Sequence, residues 1–207
     1  MAEGRRDGAR AARNPSPPPR GRVRPGTVGI AVYDANVLIG NAPRYLLLGV
    51  AQERLVQAKW SDRLLFEVAG AAGARQRWGA LRSIAEDMHH HAGLVRDHTV
   101  KGYRPWIERI EGLKDANDRH VLALAIASGA HTIVTANARD FPASVLSAWG
   151  VERVSADGFL LRCFEVNPAA LVRLRDRYRL GTRRFYESLE GSGCAGIASA
   201  LAKFGTY

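Results

Sequence analysis

An α/β fold built on a parallel sheet is predicted by three features of the chain. Short apolar runs alternate with longer stretches of helical period from Thr27 to Val154, which is the order that gives sheet-and-helix layers. Thr27 to Tyr33 reads as a buried strand, and His131 to Thr135 as a strongly β-branched one. Four acids, Asp34, Glu67, Asp118 and Asp140, fall where one element hands over to the next. Asp34 and the segment from Thr135 to Asp140 follow strands, and an open parallel sheet binds its ligands outside the carboxyl ends of its strands.

The elements follow in order. Tyr45 to Leu55 has a helical period with Leu46, Leu47, Val50 and Leu55 on one face. Ser61 is a good N-cap for a second helix, and 75–90 continues as an amphipathic helix with Trp78, Leu81, Ile84, Ala85 and Met88 aligned. The stretch from Leu94 to Leu113 is ambiguous. Asp115 to Ser128 reads as a helix stopped by Gly129. After the β-branched strand come a helix over Phe141 to Ala148 and a short strand over Val151 to Val154. Beyond Phe159-Leu-Leu-Arg-Cys-Phe164 the pattern is helical only, with Pro168 to Leu180, Arg183 to Leu189 and Ala195 to Phe204 as segments.

The 207 residues, 46% hydrophobic and 24% charged, suffice for one ordinary core with an appendage. No apolar run approaches the ~20 residues of a membrane span, and the arginine-rich N-terminus lacks the apolar core of a signal peptide. The expectation is a soluble, cytoplasmic protein with no membrane partner. Cys163 and Cys194 have neither zinc-site spacing nor a partner motif and read as small packed side chains.

The net charge of +10 suits a polyanionic partner, and half of it lies in residues 1–26, where seven arginines face Glu3 and Asp7. Five prolines and scarcely any large apolar side chain leave that segment unable to offset the entropy of ordering, so it is expected to be a disordered basic tail. Residues 27–163 form the expected catalytic unit, and 164–207 a helical extension with a net charge of +3, best read as a solvated face.

Each acid has a plain alternative. Asp34 or Asn36 could cap the helix after the first strand. Glu67 falls with Leu64, Val68 and Ala71 on the face expected to pack inward, where an unpaired carboxylate is costly and an arginine partner is the alternative. Asp115 and Asp118 resemble first-turn capping acids. Asp118 nevertheless aligns with Val121, Leu122 and Ala125 at the edge of the buried face and can point into a cleft, whereas Asp115 reads as capping or supporting. Asp140 precedes Phe141-Pro142, a frequent capping position, with Thr135 and Asn137 before it as polar groups that could orient water or phosphate. Jointly the acids imply a hard divalent cation, Mg²⁺ or Mn²⁺, since several carboxylates cannot share a pocket ionised without one. His89, His90 and His91 diverge around a helix and cannot share a metal, and His120 points away from Asp118.

Tyr33-Asp-Ala-Asn-Val-Leu38, Trp60-Ser-Asp-Arg-Leu-Leu-Phe-Glu67, Asp115-Ala-Asn-Asp-Arg-His-Val-Leu-Ala123 and Ile133-Val-Thr-Ala-Asn-Ala-Arg-Asp-Phe-Pro142 resemble the PIN-domain ribonucleases, and closely the VapC-type toxins of bacterial toxin–antitoxin pairs. The resemblance covers about Val28 to Leu161, and the helices to Phe204 resemble the extension of one subgroup. It implies a three-layer α/β/α sandwich with a central parallel sheet and an Mg²⁺-dependent endoribonuclease. It further implies dimers, as in many relatives, and a VapB-like antitoxin that holds the enzyme inactive. It makes Asp34, Glu67, Asp118 and Asp140 the catalytic metal ligands, with Thr135, Asn137 and Asp115 supporting. Many relatives carry aspartate where this chain has Asn137, which puts a second metal in doubt.

The chemistry suits hydrolysis of a phosphodiester by an activated water, with single-stranded or looped RNA as the substrate that fits a narrow acidic cleft. Lys59, Arg63, Lys101, Arg104, Arg119 and Arg139 are candidates for holding its backbone. A haloacid dehalogenase-type phosphatase would need a second acid at Asn36 and has none. A catalytically silent RNA- or antitoxin-binding module would be expected to lack one of the four acids, and a housekeeping RNA-processing nuclease would keep them all.

Overall fold

The computed structural model describes residues 19, 23–75, 95 and 97–204, with the backbone alone over 71–75. Its centre is a four-stranded parallel sheet of β1 (Ile30–Tyr33), β2 (Gln57–Lys59), β3 (Thr132–Val134) and β4 (Glu152–Val154) in the order β2-β1-β3-β4. Parallel neighbours need a crossover connection, and helices supply it. They are α1 (Asn41–Gln52), α2 (Asp62–Arg75), the short α3 (Arg104–Ile107), α4 (Arg119–Ser128), α5 (Ala143–Ala148) and α6 (Ala156–Val166). The result is a three-layer α/β/α sandwich. Pro168–Asp176, Thr182–Gly191 and Ala195–Lys203 follow as α7, α8 and α9.

β1 is buried along its whole length, as expected of a central strand in a parallel sheet. Tyr33 anchors one face: its hydroxyl donates to the Leu47 carbonyl at 3.0 Å, and its ring meets Phe159 edge-to-face. Leu46, Leu47, Leu48 and Val50 of α1 are fully buried. At about 1.5–3 kcal/mol for each such side chain, this face holds α1 to the sheet. On α4, His120 to Ile126 are all buried, and the helix stops where Gly129 adopts a left-handed φ of 67° that gives its N–H to the Ala125 and Ile126 carbonyls.

Several expectations change. α1 starts at Asn41, four residues before Tyr45, because Pro43 fits the first turn, where its missing N–H is not needed. It ends at Gln52, and the chain turns through Arg54 at φ 60° into β2, a strand that the periodicity did not predict. The ambiguous stretch contributes a bridge between Thr99 and Trp60 and the single turn α3. The helix expected over 75–90 and the histidines 89–91 lie outside the described residues, except that Arg75 ends α2.

The C-terminal helices pack on α1 and α6. Gly49 of α1 makes the close approach: a Cβ there would stand 2.7 and 2.8 Å from the two δ-carbons of Leu174. Ser188 Oγ accepts from Ala42 N at 3.0 Å, and Arg173 and Arg177 both pair with Glu53. Cys163 and Cys194 are free and buried, and burial pushes their thiols up to about 12 and about 11. Among the described residues no helix is long and apolar enough to cross a membrane.

Candidate active site

Strand register builds the site. Tyr33 pairs with Val134, and Val134 with Val154, so the next residues Asp34, Thr135 and Ser155 end their strands side by side. The ladder runs one step further, with Asp34 N donating to Val134 O and Thr135 N to Val154 O, each at 3.0 Å. Val32 pairs with Lys59, which brings Ser61 and the start of α2 to the same rim. Ser61 caps α2, accepting from Leu64 N at 3.3 Å.

Asp34 is buried and does not cap the 3-10 turn Ala35–Leu38 that follows it. Its Oδ2 accepts from Thr135 Oγ1 at 2.7 Å and from Asn36 Nδ2 at 2.6 Å. Thr135, also buried, in turn accepts from Asn137 N at 3.0 Å, and Asn36 Oδ1 accepts from Ala136 N at 2.9 Å. Burial raises the Asp34 carboxyl above its ordinary range, against the lowering effect of Thr135, the Ala35 N–H and His120.

Asp118 stands at the junction between the 3-10 turn Ala116–Asp118 and α4, and its side chain caps nothing. Capping falls to Asp115, whose Oδ1 accepts from Asn117 N at 2.8 Å. Burial, and after it the charges of Asp34, Asp140, Asp115 and Glu67, push the Asp118 carboxyl up to about 6. The acids named from sequence therefore share one electrostatic neighbourhood. Asp140 caps nothing either, since the N-cap of α5 is Pro142, and its Oδ2 is held by Asn137 Nδ2.

Glu67 is a correction. Leu64 and Val68 do pack inward, but the Glu67 side chain is 35% exposed at the rim, with Arg63 Nε 3.0 Å from Oε1. His120, read from the sequence as pointing away from Asp118, lies against Glu67 of α2. Its ring is 3% exposed, and Nε2 lies 3.3 Å from Glu67 Oε2. Two residues of helix separate it from Asp118 by about 200°, and that direction carries its ring to the neighbouring helix α2. Asn36, which reads from the sequence as a cap or as the missing phosphatase acid, instead donates to Asp34. Its position two residues past Asp34 was the available signal.

The candidate backbone-holding cations differ in their surroundings. Arg63 is committed to Glu67, and the half-buried Lys59 gives its ammonium to the Asp97 carbonyl. Lys101, Arg104 and Arg139 are exposed, and Arg119 buries its Nε without a hydrogen-bond partner. Beside Asn36 and Ala136 opens a cleft of about 590 Å³, closed on its far side by Asp157, Ser192 and Cys194.

The donor chemistry fits a hard divalent cation, since the charges of Asp34, Asp140, Asp115 and Glu67 all add to the proton affinity of Asp118, an effect that a cation would relieve. Among the described residues no three His, Cys, Asp or Glu side chains stand in a metal-ligating arrangement. Their oxygens are turned onto Thr135, Asn36, Arg63 and Asn137 instead.

Compared with known proteins, the chain matches the family model of the PIN domain over residues 31–139, a span that includes Asp34, Glu67 and Asp118 and ends one residue before Asp140. No curated protein and no solved structure matches it.

Proposed function

The chain belongs to the PIN domain family, and on that premise we propose that it is a divalent-metal-dependent endoribonuclease, the toxin of a VapC-type toxin–antitoxin pair. A nuclease-type fold comes with the family. The observation that carries the further reading is the upward displacement of Asp118 to about 6 under the charges of Asp34, Asp140, Asp115 and Glu67. Structural ion pairs neutralise their acids, whereas every cause acting on Asp118 raises it and none is a cation, which favours a site built for one.

Asp34, Glu67, Asp118 and Asp140 would hold Mg²⁺ or Mn²⁺, with Thr135, Asn137 and Asp115 supporting. The cation, when bound, supplies an activated water and offsets charge on the phosphodiester. Thr135 and Asn36 occupy one oxygen of Asp34 and so aim the other. Asn137 restrains Asp140 without adding charge. Single-stranded or looped RNA suits a rim of this kind, because an unpaired phosphate can be splayed into it. In this reading residues 27–163 are the nuclease unit, 164–207 its extension and 1–26 a basic tail. The protein acts in the cytoplasm, as a homodimer, against a VapB-like antitoxin. Arginine is the side chain best suited to silence the acids from such a partner, since its fork bridges two carboxylates and keeps its charge.

One observation favours the silent module: Glu67 already has a cationic partner in Arg63. Calorimetric titration of the full chain with Mg²⁺ and Mn²⁺, together with cleavage of end-labelled single-stranded RNA with and without chelator, separates the two. Metal binding with chelator-sensitive cleavage is expected. Absence of both sinks the enzyme reading. Growth arrest on expression, relieved by the neighbouring small gene product with recovery of a stable complex, tests the toxin reading. Harmless expression of the intact chain favours a housekeeping nuclease.

A further inference from the structure

The buried ring of His120 has one nitrogen in a hydrogen bond and one without. Nδ1 lies 2.6 Å from the Asn117 carbonyl, and since a carbonyl can only accept, Nδ1 carries a hydrogen and the ring is locked. Nε2 is buried and has no hydrogen-bond partner, although Glu67 Oε2 is 3.3 Å away. A buried polar atom left without a partner is costly, and its persistence calls for a reason.

We propose that His120 Nε2 is a ligand of the divalent cation, making this centre a mixed nitrogen–oxygen site instead of a carboxylate-only one. The inference rests on the metal-dependent reading of the same acids. Three observations meet in it. A metal-bound histidine generally donates its other ring N–H to a carbonyl or carboxylate, and the Nδ1–Asn117 bond is that arrangement. Two ligands at right angles on a cation with bonds of about 2.1 Å stand roughly 3 Å apart, close to the 3.3 Å between Nε2 and Oε2. The ring, when charged, also lowers the Asp34 carboxyl, so it stands near a second of the four acids.

An imidazole ligand moves the preference of a site away from Mg²⁺ and toward transition metals. The test is pulsed electron paramagnetic resonance of the full chain loaded with Mn²⁺ alone. The expected result is a ¹⁴N coupling of directly bound imidazole. That coupling disappears in His120→Asn and persists when His89, His90 and His91 are all changed to alanine. Calorimetry on folded His120→Asn should show Mn²⁺ affinity at least ~10-fold weaker, with a smaller change for Mg²⁺. If the variant does not fold, selective ¹⁵N-histidine labelling of the wild type assigns the nitrogen by its shift on Zn²⁺ addition. Bound Mn²⁺ without nitrogen coupling, or coupling that survives in His120→Asn, overturns this proposal and leaves the nuclease reading standing. Failure to bind any divalent cation overturns both.

Discussion

Thr135 and Asp34 stand opposite each other at the ends of adjacent strands, and Thr135 Oγ1 donates to Asp34 Oδ2 at 2.7 Å across 101 residues of sequence. The bond joins the β1 and β3 rims and fixes one oxygen of a buried carboxylate. Thr135→Val keeps the volume and removes the donor. It should cost about 1–3 kcal/mol in urea unfolding of the metal-free chain, because a charged acceptor loses a partner in a buried place. It should also raise the Asp34 carboxyl further, since Thr135 is the chief influence lowering it. Unchanged stability would show that the bond carries no weight.

Asp34→Asn, Glu67→Gln, Asp118→Asn and Asp140→Asn should each lower RNA cleavage at least ~100-fold while the fold survives, because each removes a ligand charge at nearly constant volume. Asp118→Asn should stabilise the metal-free chain by relieving repulsion. Wild-type rates in any two of the four, at saturating metal, would refute the assignment.

The raised Asp118 carboxyl gives stability a pH slope of definite sign. The folded state holds the proton up to about 6, against an ordinary value of 3.8 in the unfolded chain. The native state therefore binds more protons between those values, and metal-free stability falls as pH rises through that window. Burial of Asp34 acts in the same sense. Glu152, lowered chiefly by its bond to Arg162, acts oppositely and only at more acid pH. Unfolding midpoints at pH 4.5 and 7 should show the fall, Asp118→Asn should flatten it, and metal affinity should weaken below pH 6. A rise in stability from pH 4.5 to 7 in the metal-free chain would contradict the shared neighbourhood.

Leu174 tests whether the last helices belong to the core. It is 4% exposed and lies over Gly49. Leu174→Ala should cost about 2–5 kcal/mol in a single cooperative transition. Two resolved transitions would mean that 164–207 unfolds as a unit of its own.

Removing residues 1–22 deletes six arginines and leaves Arg24 in place. Metal-dependent cleavage should persist, while the slope of log binding constant against log salt flattens, because fewer counterions are released. An identical slope would mean that the tail does not touch RNA.

The long, strongly patterned elements were legible in the sequence. β1, β3 and α4 with its Gly129 stop could be read because burial on all sides leaves an unbroken apolar run, and a left-handed cap asks for glycine. β2 was not legible: Gln57-Ala-Lys59 has a single buried side chain in three, and its strand state comes from pairing with β1. The acids could be named but not oriented. Glu67 lies on the turn of α2 that contains Leu64 and Val68, yet its length carries the carboxylate out to Arg63. The contact of His120 was not legible because its partner, Glu67, lies on another helix, and a helical period gives the direction of a side chain but not what it meets.

The dispersal of the acids along the chain also acts as a clock. A polypeptide leaving the ribosome displays Asp34 and Glu67 early, but Asp140 follows Glu67 by 73 residues. At roughly 5–20 residues per second that is an interval of about 4–15 seconds. Throughout it β3 cannot yet dock beside β1, so Thr135 is not there to hold Asp34 and the carboxylate set is incomplete. On the proposed nuclease reading, a chain still being made therefore lacks its full acid set, and any activity that needs all four acids waits for the last of them.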